Sequence, residues 1–297
     1  MKISLALGGG GSKGNAHIGV LKVLERSGHH IAALAGTSVG GLIGAIYLAG
    51  NSPELIEQRF SQSDFRNLFR RDGESNDSLL GLKGVERLLD EMLADRSFSD
   101  LAIPFAVTSV DLITGQEIVL NQGRLVDAIL AAIALPGIFP SRKWGEYVLV
   151  DGGLINPVPV SIARSLAPGL PVIAVTFSRK PEANREIPKT SPLGVIPALD
   201  RISRFRLGQA FNVFTRSMSI SGRLLTELRL SIEKPEYLIR PKVDHVGLLD
   251  QVDVPEIVKL GEEAALKLLP ALNGSHSWLN RMFQRVKPRN WFSKADG

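Results

Sequence analysis

Two glycine-bracketed strings near the start of the chain carry residues that could do chemistry together. Gly36-Thr37-Ser38-Val39-Gly40 has the G-x-S-x-G form of a turn that lifts a serine hydroxyl out of a strand-to-helix junction. Gly9-Gly10-Gly11-Ser12-Lys13-Gly14 offers bare backbone N–H groups suited to hold a developing negative charge. A serine poised for attack beside an anion-holding loop is the minimal equipment for acyl transfer. Two plainer readings compete. Ser38 could simply cap the following helix. Gly9, Gly11 and Gly14 also fit G-x-G-x-x-G, a dinucleotide cradle, but Ala35 to Ser38 holds no carboxylate to bind a ribose, so that reading is poor.

A serine hydroxyl needs a base to accept its proton. The histidines are His17, His29, His30, His245 and His276. His17 falls inside a helical segment and reads as a packed or surface side chain, while His29 and His30 fall in a connection. His245 has the chain order of a Ser…Asp…His triad. The competing base is Asp151, at the end of a short apolar run and followed by Gly152-Gly153. A carboxylate there is expected to be exposed at the same sheet edge as Ser38; the bland alternative for Asp-Gly-Gly is a turn. Both bases stay open on the residues alone.

The elements that must hold these groups alternate. Ile3–Leu7 reads as a buried strand, 15–28 as a helix, Ile31–Ala35 as a strand and Gly40–Ala49 as a helix. Such alternation predicts an α/β fold with a mostly parallel central sheet covered by helices on both faces. Ile31–Ala49 is uncharged and could be scored as a membrane span, but Gly36-Thr37-Ser38 and Gly40-Gly41 divide it into strand, turn and helix. Residues 51–100 read as helical and polar, interrupted from Asp72 to Ser78 by a possible flap. Further strands are expected at 103–110, 116–120, 147–150, 171–177 and 237–241. Helices are expected at 125–135, 198–232 and 254–269, with an exposed connection over 179–197.

Bulk composition narrows the classes. The 297 residues are 44% hydrophobic, enough for one large core or at most two smaller ones. Cysteine is absent, which excludes disulfides and thiol catalysis. The net charge of +5 is compatible with an anionic surface without requiring one. No secretory signal is apparent, so a cytoplasmic location is expected, with peripheral contact at the inner membrane face as an extension. Residues 275–297 interleave Trp278, Phe283, Trp291 and Phe292 with five basic residues against Asp296 alone, the composition of a segment lying on an anionic membrane or of a frayed tail.

Taken in order, the glycine loop, Ala16-His17-Ile18-Gly19-Val20-Leu21, Gly36-Thr37-Ser38-Val39-Gly40-Gly41, Ala134-Leu135-Pro136-Gly137-Ile138-Phe139-Pro140 and Asp151-Gly152-Gly153 resemble the patatin-like phospholipases, the small bacterial members most. Agreement runs from about Leu5 to Ala163, and Gly247-Leu248-Leu249-Asp250 also looks similar. The resemblance implies a patatin-like hydrolase core over 5–164, completed within the same domain by 165–272 and followed by a tail from 273. It implies a Ser38–Asp151 dyad in place of a triad and an oxyanion hole of backbone amides around Gly9, Gly10 and Gly11. Lys13, Gly14, Gly36, Gly40, Gly152 and Gly153 support those motifs. The implied substrates are acyl esters of phospholipids, lysophospholipids or neutral lipids, cleaved without metal or other cofactor, and no nucleic acid is expected. A lipid-surface binding or regulatory protein with residual hydrolase machinery is the competing function, prompted by the tail and by Arg201, Arg204, Arg206, Arg216, Arg223 and Arg229. Lys13 stands where an arginine is frequent, losing the planar fork while keeping the charge. Ser141 stands where a second proline is common.

Overall fold

In chain order the elements of the computed structural model are β1 (Lys2–Leu7), α1 (Ala16–Arg26), β2 (His30–Thr37), α2 (Val39–Leu48), α3 (Pro53–Gln62), α4 (Phe65–Leu68), α5 (Lys83–Leu93), β3 (Phe105–Asp111), β4 (Glu117–Leu120), α6 (Leu125–Ala132), β5 (Arg142–Trp144), β6 (Tyr147–Asp151), α7 (Val160–Leu166), β7 (Val172–Val175), α8 (Arg201–Glu233), β8 (Tyr237–Ile239) and α9 (Val254–Leu266). The structure describes residues 1–70, 78–178 and 201–274. The expected connection over 179–197, the tail at 275–297 and all but Ser78 of the interruption from Asp72 lie outside the described residues.

The sheet order is β5-β6-β3-β2-β1-β7-β8, with β4 also paired to β3. Strands β3, β2, β1, β7 and β8 run parallel, so the α/β fold with a mostly parallel sheet stands. At one side the sheet turns antiparallel, through the β3–β4 hairpin and the β6–β5 pair. The hairpin turns near Thr114-Gly115 as expected. β5, three residues long and without an apolar run, is an addition to the predicted strands.

Both faces are covered, and the strand residues are sized accordingly. On β1, Ile3, Leu5 and Leu7 enter the large core, which also takes side chains of α1, α2, α5, α6 and α9. Burying each contributes about 1.5–3 kcal/mol. The alternate residue Ala6 faces the other way with Ala35 and Ala174, against Val160 and Ala163 of α7 and Leu230 of α8. Small residues there let α7 sit close, and Ser4 Oγ donates to the Ala163 carbonyl at 2.5 Å. The uncharged stretch from Ile31 to Ala49 divides into β2 and α2. Among the described residues no helix is long and apolar enough to cross a membrane.

Helix starts follow local chemistry. Ser52 Oγ accepts from the Leu55 amide at the head of α3, and an Asp253 oxygen accepts from the Glu256 amide at the head of α9; each helix has proline in its first turn. α2 departs from this pattern, and that departure marks the site.

Candidate active site

Ser38 joins β2 to α2 with φ 54° and ψ −128°. Non-glycine residues avoid this region, and holding one there costs on the order of 1–3 kcal/mol. The surroundings enforce it. Thr37 Oγ1, immediately before, donates to the Asn156 carbonyl at 2.8 Å and lies 3.1 Å from Thr108 Oγ1. Two residues after, Gly40 packs so tightly on the Leu7 carbonyl that any β-carbon would collide. Ser38 stands at the N-cap position of α2 yet makes no capping hydrogen bond. Its hydroxyl instead lies close enough to the Asp151 carboxylate to lower that group's pKa. The capping reading is thereby set aside.

Register explains how two distant residues meet. Thr37 pairs with Thr108 across β2 and β3, and Ser109 pairs with Asp151 across β3 and β6. Because β6 is antiparallel to β3, its last residue enters the sheet at the level where β2 ends. Asp151 is buried, not exposed as the strand-end position suggested. Its amide donates to the Ala134 carbonyl at 3.0 Å, tying the Ala134–Pro140 segment to the site. One carboxylate oxygen accepts from the Gly153 amide at 2.7 Å. Burial pushes the carboxyl up to about 6, against the opposing pull of hydrogen bonds from Ser38 and Gly153. Gly152 packs on Thr108 of β3, which brings the Asp-Gly-Gly backbone against the sheet.

The glycine loop lies over the same spot. Gly9 is so near the elbow that a β-carbon on it would be 3.2 Å from that of Ser38. The Gly8–Gly9 peptide is held at both ends: His17 Nε2 bonds the Gly8 carbonyl at 2.8 Å, and the Gly9 amide donates to the Pro157 carbonyl at 2.9 Å. Gly9 is therefore engaged, whereas the amides of Gly10 and Gly11 meet no backbone acceptor among the described residues. Gly11 has φ 56° and abuts the Leu248 carbonyl, so only glycine fits there. The segment Gly247 to Asp250 straps the loop down, accepting from the Ser12 amide at Leu248 and from Ser12 Oγ at the Asp250 carbonyl. Gly14 packs on Val39 of the elbow helix, and Gly36 on Gly41.

Lys13 is half-buried; burial lowers its ammonium pKa, Asp244 pulls it back up, Arg223 lowers it further and Asp250 raises it. His17 is buried against Phe177, ring centroids 4.7 Å apart, and burial pushes it down to about 4, so the neutral ring can donate from Nε2 to Gly8. His29 and His30 lie at the opposite end of β2 from Ser38. His245 is exposed in the 243–250 loop, and the groups acting on the Asp151 carboxylate are Ser38 and Gly153 among the described residues. His276 lies outside the described residues.

Several site-building residues carried no signal in the residue pattern. Asn156 is fully buried, its amide group donating to Glu117 at 2.7 Å, and Glu117 sits 3.7 Å from Arg229 of α8. Asn156-Pro157 just after Asp-Gly-Gly reads as turn chemistry; its contacts with Thr37 and Gly9 exist only once the sheet is assembled. A cleft of about 410 Å³ between α3, α4 and α5, lined in part by Arg59, Asn67 and Glu91, holds none of the residues above.

The order of these parts along the chain is matched by a family model described as "Patatin-like phospholipase" over residues 5–164. The chain belongs to the patatin-like phospholipase family. An uncharacterized NTE family protein of Mycobacterium tuberculosis is 31% identical to this patatin-like chain over 163 residues, covering 54% of it and 45% of the relative. A second such protein of that species is 28% identical over 276 residues, 91% of this chain and 46% of the relative. Patatin-like phospholipase domain-containing protein 6 of Mus musculus is 31% identical over 191 residues, 61% of this chain and 14% of its own length. The chain thus spans less than half the length of these curated relatives. Among solved structures, VipD from Legionella pneumophila shares the fold, with a TM-score of 0.52 over 91% of this chain and 67% of that one at 11% identity. Family membership supports a lipid hydrolase at the level of the family.

Proposed function

We propose that this chain is a serine acyl hydrolase that cleaves carboxylic esters of phospholipids, lysophospholipids or neutral lipids through a Ser38–Asp151 dyad. The observation that carries the reading is the meeting of Ser38, on a strained elbow, with the buried Asp151 carboxylate, whose pKa is raised to about 6. A base with a pKa just below neutral is ionised at pH 7 yet holds a proton well, the balance general-base catalysis asks for.

In the first step Ser38 Oγ attacks the ester carbonyl carbon and its proton passes to Asp151. The carbonyl oxygen becomes an oxyanion held by the amides of Gly10 and Gly11, with the positive end of α2 adding to the field. Collapse breaks the ester C–O bond, and the leaving alcohol takes the proton from Asp151. Water, deprotonated by Asp151, then attacks the acyl-Ser38 ester; the bond from Ser38 Oγ to the acyl carbon breaks, Asp151 returns the proton to Ser38 Oγ, and the fatty acid leaves. The arrangement needs no histidine. Gly9 is left out of the hole because its amide already serves Pro157.

The test compares variants on a soluble short-chain aryl ester. Ser38→Ala should lower turnover on the order of 10⁴-fold or more and abolish labelling by a fluorophosphonate. Asp151→Asn should lose activity on the same scale, while His245→Ala should stay within about twofold of the parent. Full activity in Asp151→Asn together with its loss in His245→Ala would replace the dyad by a triad.

A further inference from the structure

From Val213 onward the solvent side of α8 carries an apolar stripe. Val213, Ile220, Leu224, Leu228 and Ile232 are between 51% and 69% exposed. At helical geometry Val213, Ile220, Leu224 and Leu228 fall within an arc of about 80°. The opposite side of the helix is the docked one: Thr226 and Leu230 are buried, and Leu230 packs with Val158, Val160 and Ala163. The exposed stripe is therefore not a misassigned core face. Among the described residues it is an unpartnered one, larger in aliphatic content than scattered surface residues require.

Its charges have one sign. Arg216 and Arg223 are exposed along one edge of the stripe. The two carboxylates of this part of the helix are engaged and little exposed. Glu227 pairs with Arg240 and accepts from Ser178 Oγ, and Glu233 accepts from Arg229 and from the Ser161 amide. What remains outward is leucine, isoleucine, serine and arginine, the make-up of a helix that lies in a membrane interface with its apolar side in the acyl boundary. The helix also borders the site. Arg229 Nε donates to the carbonyl of Ile155, four residues past Asp151, at 2.8 Å, and Arg223 is close enough to Lys13 of the glycine loop for their charges to repel.

We infer that α8 is a docking helix for an anionic lipid bilayer, seating Ile220, Leu224 and Leu228 among the acyl chains and Arg216 and Arg223 against the headgroups. This holds the site beside the surface from which its substrate must come. The inference rests on the lipid-hydrolase reading, but its test is separable from that reading. Binding of the full chain to vesicles of phosphatidylcholine with and without phosphatidylglycerol is measured by co-sedimentation, alongside turnover of the soluble aryl ester.

The expected result is salt-sensitive binding that is stronger with phosphatidylglycerol. The Ile220→Ser, Leu224→Ser, Leu228→Ser triple variant should weaken it at least about 10-fold, with soluble-ester turnover unchanged. Arg216→Gln with Arg223→Gln should remove most of the preference for anionic vesicles and flatten the salt dependence. Leu266→Ser, a matched exposed site on α9 at 53% exposure, should change nothing. Unchanged vesicle binding in either α8 variant would overturn the inference. So would equal weakening by Leu266→Ser, or a triple variant that loses a dimer seen in solution while still binding vesicles. A parent without esterase activity would instead defeat the hydrolase reading, and the vesicle result would still stand or fall by itself.

Discussion

At the residue scale, two side chains are held in states that oppose stability. Asp151 is buried with its carboxyl raised to about 6 from an ordinary 3.8. Where the native state binds a proton that the unfolded chain does not, stability falls as pH rises, so the loss accrues between pH 3.8 and about 6 and is complete above it. It amounts to roughly 3 kcal/mol. Asparagine keeps one acceptor oxygen for the Gly153 amide, offers an N–H to Ser38 Oγ and removes the charge. Asp151→Asn is accordingly expected to be inactive yet more stable than the parent by about 1–3 kcal/mol at pH 8, with the gain vanishing below pH 4, as read by urea unfolding. Ser38 stores strain of a different kind. Glycine relieves φ 54° and alanine does not, so Ser38→Gly should be more stable than Ser38→Ala by about 1 kcal/mol, although both are inactive. Equal melting temperatures for those two variants would remove strain from the account.

Elements explain why some of this was legible in advance and some was not. Strand–turn–helix around Ser38 could be read directly, because hydropathy, glycine spacing and the elbow motif are all local. The antiparallel entry of β6 could not, since register between β3 and β6 depends on pairings far apart in the chain, and with it went the burial of Asp151. The same limit applies to the glycine loop. Three adjacent glycines look equivalent in one dimension, yet the Gly9 amide is committed to Pro157 while those of Gly10 and Gly11 point elsewhere for partners. The segment from Gly247 to Asp250 that clamps Ser12 is a contact across more than two hundred positions. His17 is an element-scale device, a helix residue that fixes the peptide ahead of the oxyanion donors. His17→Gln, which can offer an N–H to the Gly8 carbonyl, should retain most of kcat. His17→Phe, which fills the space beside Phe177 without a donor, should lose on the order of 10-fold or more in kcat with KM little changed. Parallel losses in both variants, or a loss confined to KM, would count against a positioning role.

Across the whole molecule, buried ionisable groups of opposite sense balance. His17 is neutral in the fold with its pKa near 4, so its contribution is complete above about 6.5 and is lost as pH falls toward 4, the reverse of Asp151. Between about pH 4 and 6 the two slopes offset each other in the parent. Removing the carboxylate unmasks the histidine, and the stability of Asp151→Asn should then rise by roughly 1.4 kcal/mol per pH unit across that window while the parent stays nearly flat. A mostly parallel sheet covered on both faces makes such burial possible, because α7 and α8 close one side and α1, α2 and α9 the other. That sheet also sets α8 beside the site. The most direct test of the central claim is the pH dependence of covalent Ser38 labelling by a fluorophosphonate, followed by intact mass and peptide mapping. The expected result is a single modification at Ser38 whose rate rises through an apparent pKa near 6, falls by orders of magnitude in Asp151→Asn and is untouched in His245→Ala. Labelling at another residue, or an unchanged rate and pH profile in Asp151→Asn, would contradict it.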